Sequence, residues 1–247
     1  MQIAVVGQLS RDVIAGGEPR IGGAPWHAGR ALRALGADAR IVCKCGEEDA
    51  VSFARELETL DLPFDLVVGA KTTAFSFSYD DHGARTMAVD AVGDAWNAEE
   101  LRIDGVDWLQ VAPLLRGQID LAALAAPGRH ILLDAQGIVR VAEVGPLRRD
   151  DGFDHDALRH VSMLKLSEEE AAIVGDVDVP EVIVTHGRRG AAVNGDFVPA
   201  LPVDGDPTGA GDGFCVAYVA SRSLGFAPAA AARRATAVVA SMLAGAG

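Results

Sequence analysis

Residues 206–214 read DPTGAGDGF, three glycines and two aspartates in nine positions, and run on into the apolar stretch FCVAYVASRSLG. Phe214, Tyr218 and Ser221 recur at helical spacing and Gly225 is a stop signal, so 209–212 is predicted to form a helix N-terminus. Unpaired N–H groups and the positive end of the macrodipole make such a terminus attractive to an anion. Glycines at 209 and 211 permit unusual φ angles and let a phosphate come close. Asp212 is the odd member. A carboxylate beside an anion site repels the ligand unless it has a task, and taking the proton from an attacking hydroxyl is such a task. The plainer reading of Asp212 is a helix-capping aspartate.

The rest of the chain frames that stretch. Short β-rich runs, QIAVV (2–6), ARIVC (39–43), DWLQVA (107–112), HILLD (130–134), SMLKL (162–166) and EVIVT (181–185), alternate with amphipathic segments. Among the latter are PWHAGRALRALG (25–36), where Leu32 and Leu35 share a face, and AVSFARELETL (50–60). Strands separated by helix-length segments predict βαβ units and a mostly parallel central sheet covered on both faces, a three-layer α/β/α fold. One region breaks the alternation. In TTAFSFSYDDHGARTMAVD (72–90), Phe75, Phe77 and Tyr79 recur at period two, DDHG supplies a turn, and Met87 and Val89 resume the pattern. That is an antiparallel hairpin with one apolar face. With VIAGGEPRIG (13–22) as a companion strand it makes a small β lid, through which the chain closes on substrate or pairs as a homodimer; an edge extension of the main sheet is the alternative. Linker composition and repeats are absent, which predicts one domain over 1–247.

A formal net charge of −13 and the lack of any Lys/Arg cluster argue against a nucleic-acid partner. No apolar run reaches the ~20 residues of a membrane span, and QIAVV reads as a buried strand rather than a signal peptide, so a cytoplasmic location is expected. Cys43, Cys45 and Cys215 read as reduced thiols. None of the lysines, Lys44, Lys71 and Lys165, follows a glycine, which excludes a P-loop; G-x-S-x-G and H-E-x-x-H are absent, and GQLSRD follows the first strand where a dinucleotide fold needs G-x-G-x-x-G.

Asp206, Thr208, Gly209, Ala210, Gly211, Asp212 and Phe214 match D-T-x-G-A-G-D-x-F, and on this signature the chain resembles the ribokinase-like (PfkB-type) carbohydrate kinases. The likeness extends over most of the sequence. VVGQLSRD is similar to the family's opening strand and substrate aspartate, GGAPWHAGRALRALG to its double-glycine segment, VIVTHGRRGAAV to its T-x-G-x-x-G nucleotide segment, and KLSEEEA to its N-x-x-E motif. Some positions depart from the pattern. His27 stands where the family has Asn, Ser10 and Ser167 also replace Asn, and in DAQGIVR (134–140) Arg140 is displaced by two from D-x-N-x-R.

The resemblance implies Asp212 as catalytic base and the amides of Gly209, Ala210, Gly211 and Asp212 as the anion hole. It implies Asp12, Gly22, Gly23 and His27 at the acceptor, Thr185, Gly187, Gly190 and Thr208 at ATP, and Glu170 in the water shell of Mg²⁺. A monovalent cation accompanies some relatives. The expected activity is transfer of the γ-phosphoryl group of ATP to a hydroxyl of a sugar, polyol or related small metabolite. Nucleoside or vitamin (hydroxymethylpyrimidine or pyridoxal) kinases of the same fold, and a binding relative without turnover, are the alternatives. A histidine at 27, bulkier than Asn and able to change charge near pH ~6.5, predicts that ribose and fructose are poor acceptors.

Overall fold

β1 (Ile3–Gln8) is buried along its whole length, and its alternation sets the layers: Ile3 and Val5 join one apolar cluster, Ala4 and Val6 another on the opposite face. The chain continues through β2 (Ser10–Ile14), β3 (Arg20–Gly22), α1 (Ala24–Leu35), β4 (Ala39–Gly46), α2 (Ala50–Glu58) and β5 (Phe64–Gly69). The hairpin β6 (Thr73–Tyr79) and β7 (Arg85–Ala91) follows, then β8 (Trp108–Ala112), α3 (Leu121–Leu124), β9 (His130–Asp134), α4 (Gln136–Val139) and β10 (Gly145–Pro146). The last third holds β11 (Met163–Ser167), α5 (Glu168–Val174), β12 (Glu181–Thr185), β13 (Gly190–Val193), β14 (Asp196–Pro199), α6 (Ala210–Ser223) and α7 (Pro228–Ala244). This computed structural model describes residues 3–79 and 85–244, so the turn expected at DDHG (80–83) lies outside the described residues.

Nine strands form the main sheet in the order β14-β13-β12-β11-β9-β8-β1-β4-β5. All neighbours from β12 to β5 run parallel, and β13 and β14 add an antiparallel edge. On one face Ala28 and Leu32 of α1, Phe214 and Val216 of α6, and Ala231 and Ala235 of α7 pack against Ile3, Val5, Leu132 and Met163. On the other, Leu121 and Leu124 of α3 and Val174 of α5 pack against Val6, Leu109, Leu133 and Leu164. The result is the three-layer α/β/α arrangement. Burial of Leu32 is complete, and truncating a side chain in such a place costs about 2–5 kcal/mol. Leu35, expected on the same face, is the last residue before the Gly36 cap and remains 36% exposed.

The lid is a second sheet of five strands, β10-β7-β6-β2-β3, not an extension of the first. Phe75 stands opposite Val89 and Phe77 opposite Met87. Their apolar face is closed by Leu114, Leu115 and Leu147 of the same chain, leaving Phe75 2% exposed. The companion strand expected within 13–22 starts earlier, at Ser10, and runs parallel to β6; Gly16 and Gly17 belong to the turn that leads on to β3. The cysteines are free and buried.

Candidate active site

α6 starts without a side-chain cap. Gly209 is its N-cap in the left-handed region, φ 78°, and Asp206 folds the entry by accepting from Thr208 N at 3.0 Å and from Thr208 Oγ1 at 2.7 Å. The Ala210 amide, expected to join an anion hole, instead donates to the Pro207 carbonyl oxygen at 3.0 Å and closes the turn into this 14-residue helix, so Gly211 and Asp212 are the first-turn amides placed to face an anion at the positive end of its dipole. The two glycines serve differently. Gly209 needs its φ, and a Cβ there would lie 2.6 Å from His27 Nδ1. Gly211, expected to need an unusual φ, is ordinary helix, and a Cβ on it would stand in ordinary contact with the end of Lys165, 3.6 Å from Nζ.

Asp212 lies in that first turn. Burial, reinforced by the charge of Asp134, pushes its carboxyl up to about 7 against the pull of Lys165 and Arg140, and Asp12 adds to the push. A carboxylate poised near neutrality is matched to taking a proton from an alcohol. Beneath it the main sheet presents polar residues on the face that α6 covers. Gln110 of β8 donates from Nε2 to the Asp212 carbonyl oxygen at 3.5 Å. Asp134, which ends β9, is in register with Lys165 of β11, whose Nζ lies 3.2 Å from both Asp134 oxygens and 4.0 Å from Glu170 Oε2. Burial pulls Lys165 down, but Asp134 and then Glu170 outweigh it, so the ammonium stays charged. Arg140, displaced in the sequence, returns to this cluster after α4; it feels Glu170, Asp134 and Asp212, and its Nε is buried with no hydrogen-bond partner among the described residues. Neither Gln110 nor Lys165 was singled out by the sequence patterns, and Asp134 entered only as the first residue of the loose D-x-N-x-R match. The readable signal was a polar residue at the inward period-two position of HILLD, SMLKL and DWLQVA.

The residues expected at the acceptor gather beside this cluster. β2 pairs Ser10 with Gly22 and Asp12 with Arg20 of β3, and a Cβ on Gly22 would overlap the Asp12 carboxylate and come within 2.7 Å of Ser10 Oγ. Gly23, φ 94°, caps α1, where a Cβ would lie 2.5 Å from the Gln8 carbonyl oxygen. One turn on, His27 packs on Gly209 and so joins α1 to the first turn of α6. Burial, with the Arg30 charge, lowers His27 to about 4 against the pull of Asp206. It is therefore neutral down to about pH 4, contrary to the expected switch near pH 6.5, and its Nδ1 is buried with no hydrogen-bond partner among the described residues.

On the other side of the first turn lies a cavity of about 550 Å³, reached by Thr185, Gly187, Gly190, Ala210 and Gly211 and walled by apolar side chains such as Val239. Thr208, grouped with these residues from the sequence, is exposed, with its hydroxyl turned to Asp206. Glu170 forms a capping box with Ser167: its Oε2 accepts from Ser167 N at 2.7 Å, and the Ser167 hydroxyl accepts from Glu170 N at 3.2 Å. That is the work of the serine in the place of Asn. With Oε2 so committed and an ammonium 4.0 Å away, Glu170 does not fit as a direct Mg²⁺ ligand. Among the described residues no group of three or more His, Cys, Asp or Glu side chains is placed to hold a metal ion. No helix among them is long and apolar enough to cross a membrane.

No family model matches the chain. It is similar to two curated proteins, both inositol 3-kinases. With that of Zea mays it is 36% identical over 104 residues, 37% of this chain and 27% of the other. With that of Oryza sativa subsp. japonica it is 27% identical over 253 residues, 87% of this chain and 61% of the other. The chain thus spans less than two thirds of the length of the curated relatives it matches. Among solved structures it resembles a pyrophosphate-dependent kinase in the ribokinase family, complexed with a pyrophosphate analog and myo-inositol. The TM-score is 0.82 at 22% identity, over 98% of this chain and 94% of the other. The fold is ribokinase-like.

Proposed function

We propose that the protein is a phosphotransferase that moves the γ-phosphoryl group of ATP to a hydroxyl of a small cyclic polyol or sugar. One observation carries the reading: a carboxyl raised to about 7 stands in the first turn of a helix whose N-cap is a bare glycine. Asp212 takes the hydroxyl proton as the oxygen attacks phosphorus in line. The amides of Gly209, Gly211 and Asp212 meet the charge that grows on the transferred group, and Asp12 and His27 hold the acceptor. Mg²⁺ arriving with the donor would neutralise its phosphate charge.

An inositol-like acceptor is supported by the inositol 3-kinases and by the neighbour complexed with myo-inositol. ATP is supported by the apolar cavity of about 550 Å³ beside the anion hole, which gives a nucleoside a place that pyrophosphate does not need. Pyrophosphate is the second reading for the donor, favoured by the same neighbour and by Lys165 and Arg140 close to the first turn. The test is to incubate the protein and Mg²⁺ with ATP or pyrophosphate, against myo-inositol, ribose, fructose and a nucleoside, and to follow products by ³¹P NMR. Transfer from ATP to myo-inositol is expected, with ribose and fructose poor acceptors. Transfer from pyrophosphate alone would reassign the donor, and no transfer to any acceptor would sink the reading.

A further inference from the structure

A lysine deep in a fold is costly unless other charges answer it. Lys165 is answered twice, by both Asp134 oxygens at 3.2 Å and by Glu170 at 4.0 Å, and its Nζ reaches the backbone of the first turn of α6, 3.6 Å from where a Cβ on Gly211 would sit. The next residue is Asp212. We propose that Lys165 is a positioning residue for the base: clamped by Asp134 under the first turn of α6, its ammonium keeps Asp212 available as a carboxylate near neutral pH. The inference rests on reading Asp212 as the base.

The charges that face Asp212 come from several elements. β9 brings Asp134, β11 brings Lys165, the segment after α4 brings Arg140, and β2 brings Asp12. Cys215, one turn along α6, is held as a thiol by burial, and Glu170 of α5 acts on both Lys165 and Arg140. Lys165 and Arg140 offset Asp134 and Glu170, so Asp212 ionises into a nearly balanced surrounding. Without the ammonium it would ionise beside uncompensated carboxylates and hold its proton to higher pH. Asp134 is the counterpart, since removing its charge lifts its own repulsion of Asp212 and leaves Lys165 shared between Glu170 and Asp212. Asn at 134 keeps the oxygen that accepts from Gln136 N at 3.1 Å.

The experiment follows the Asp212 carboxyl itself. In protein labelled with ¹³C-aspartate, its resonance is assigned by its loss in Asp212→Asn and titrated in wild type, Lys165→Met, Lys165→Arg and Asp134→Asn. The midpoint is expected to rise by about one pH unit or more in Lys165→Met, to fall by a similar amount in Asp134→Asn, and to stay in place in Lys165→Arg. The acid limb of kcat/KM should move in the same order. A purely structural role would move both disrupted variants in one direction, because both break the same ion pair, so displacement in opposite directions is the signature. An unmoved midpoint in Lys165→Met overturns the proposal. Should that variant not fold, a midpoint that fails to drop in Asp134→Asn overturns it equally. The titration needs no turnover, so absence of transfer from every donor would count against the kinase reading while leaving this measurement to decide the role of Lys165.

Discussion

His27 and Asp212 are both driven toward their neutral forms by burial, one down to about 4 and the other up to about 7, and stability should follow pH in opposite senses at the two sites. For His27 the unfolded chain takes up a proton near 6.5 while the folded chain resists until about 4. The unfolded state binds more protons across that window, so the contribution is present above 6.5 and lost as pH falls through it. His27→Asn removes this loss. Between pH ~7 and ~5 the wild type should lose on the order of 2 kcal/mol more than the variant, read from denaturant midpoints at each pH. Equal losses would mean that His27 titrates as it does in water. For Asp212 the folded state is the one that holds the proton between 3.8 and about 7, so its contribution is complete below 3.8 and is lost as pH rises through 7. Asp212→Asn is therefore expected to be more stable than wild type at pH ~8, by up to about 4 kcal/mol, with no advantage near pH ~4. Its turnover should fall roughly 10²–10⁴-fold. A variant that is inactive yet no more stable at alkaline pH would mean that the carboxyl is not strained by its surroundings.

The lid hairpin was legible because period two was strict: Phe75 and Phe77 do share a face, and that face does seek apolar cover. What covers it was not legible, since Leu114, Leu115 and Leu147 lie far along the chain and only the crossover of the strands brings them near. Phe75→Ala should cost about 3–5 kcal/mol. It should speed amide exchange in β6, β7 and β10 before it does so in β1 and β8; uniform acceleration would show that lid and main sheet open as one unit. The start of β2 at Ser10 was missed because Leu9 alone separates it from β1, and no turn residue marks the change of sheet. Gln110 and Lys165, and the meeting of both with Asp134, escaped for a different reason. Each is a lone polar residue in an apolar strand, and strand order β11-β9-β8 is what assembles them into one site. The signature 206–214 declared itself because its parts are contiguous.

With a net charge of −13, the whole molecule repels the polyphosphate donor it is proposed to use, while Lys165 and Arg140 attract it only at short range. Salt screens the distant repulsion first, because the Debye length shrinks from about 30 Å at 0.01 M to about 8 Å at 0.15 M. kcat/KM for the donor should therefore rise, on the order of a few-fold, over that range at fixed free Mg²⁺. A fall would show that the local cations dominate the approach. At this scale the sequence alone placed the layers and the lid, because alternation of strands and helices is a property of the entire chain. Donor and acceptor identity depend on a few side chains, His27 among them, that no pattern specifies. The packing of α6 also bears on how the protein is made. β1, synthesised before α6, lies inside the main sheet, and the face carrying Ile3 and Val5 is covered by α6 and α7. A nascent chain that has reached Asp206 thus holds every strand of that sheet with one apolar face only partly covered, exposed to any chaperone or to its own kind. An element that closes the core is the one that brings Asp212, so soundness and competence arrive with the same helix.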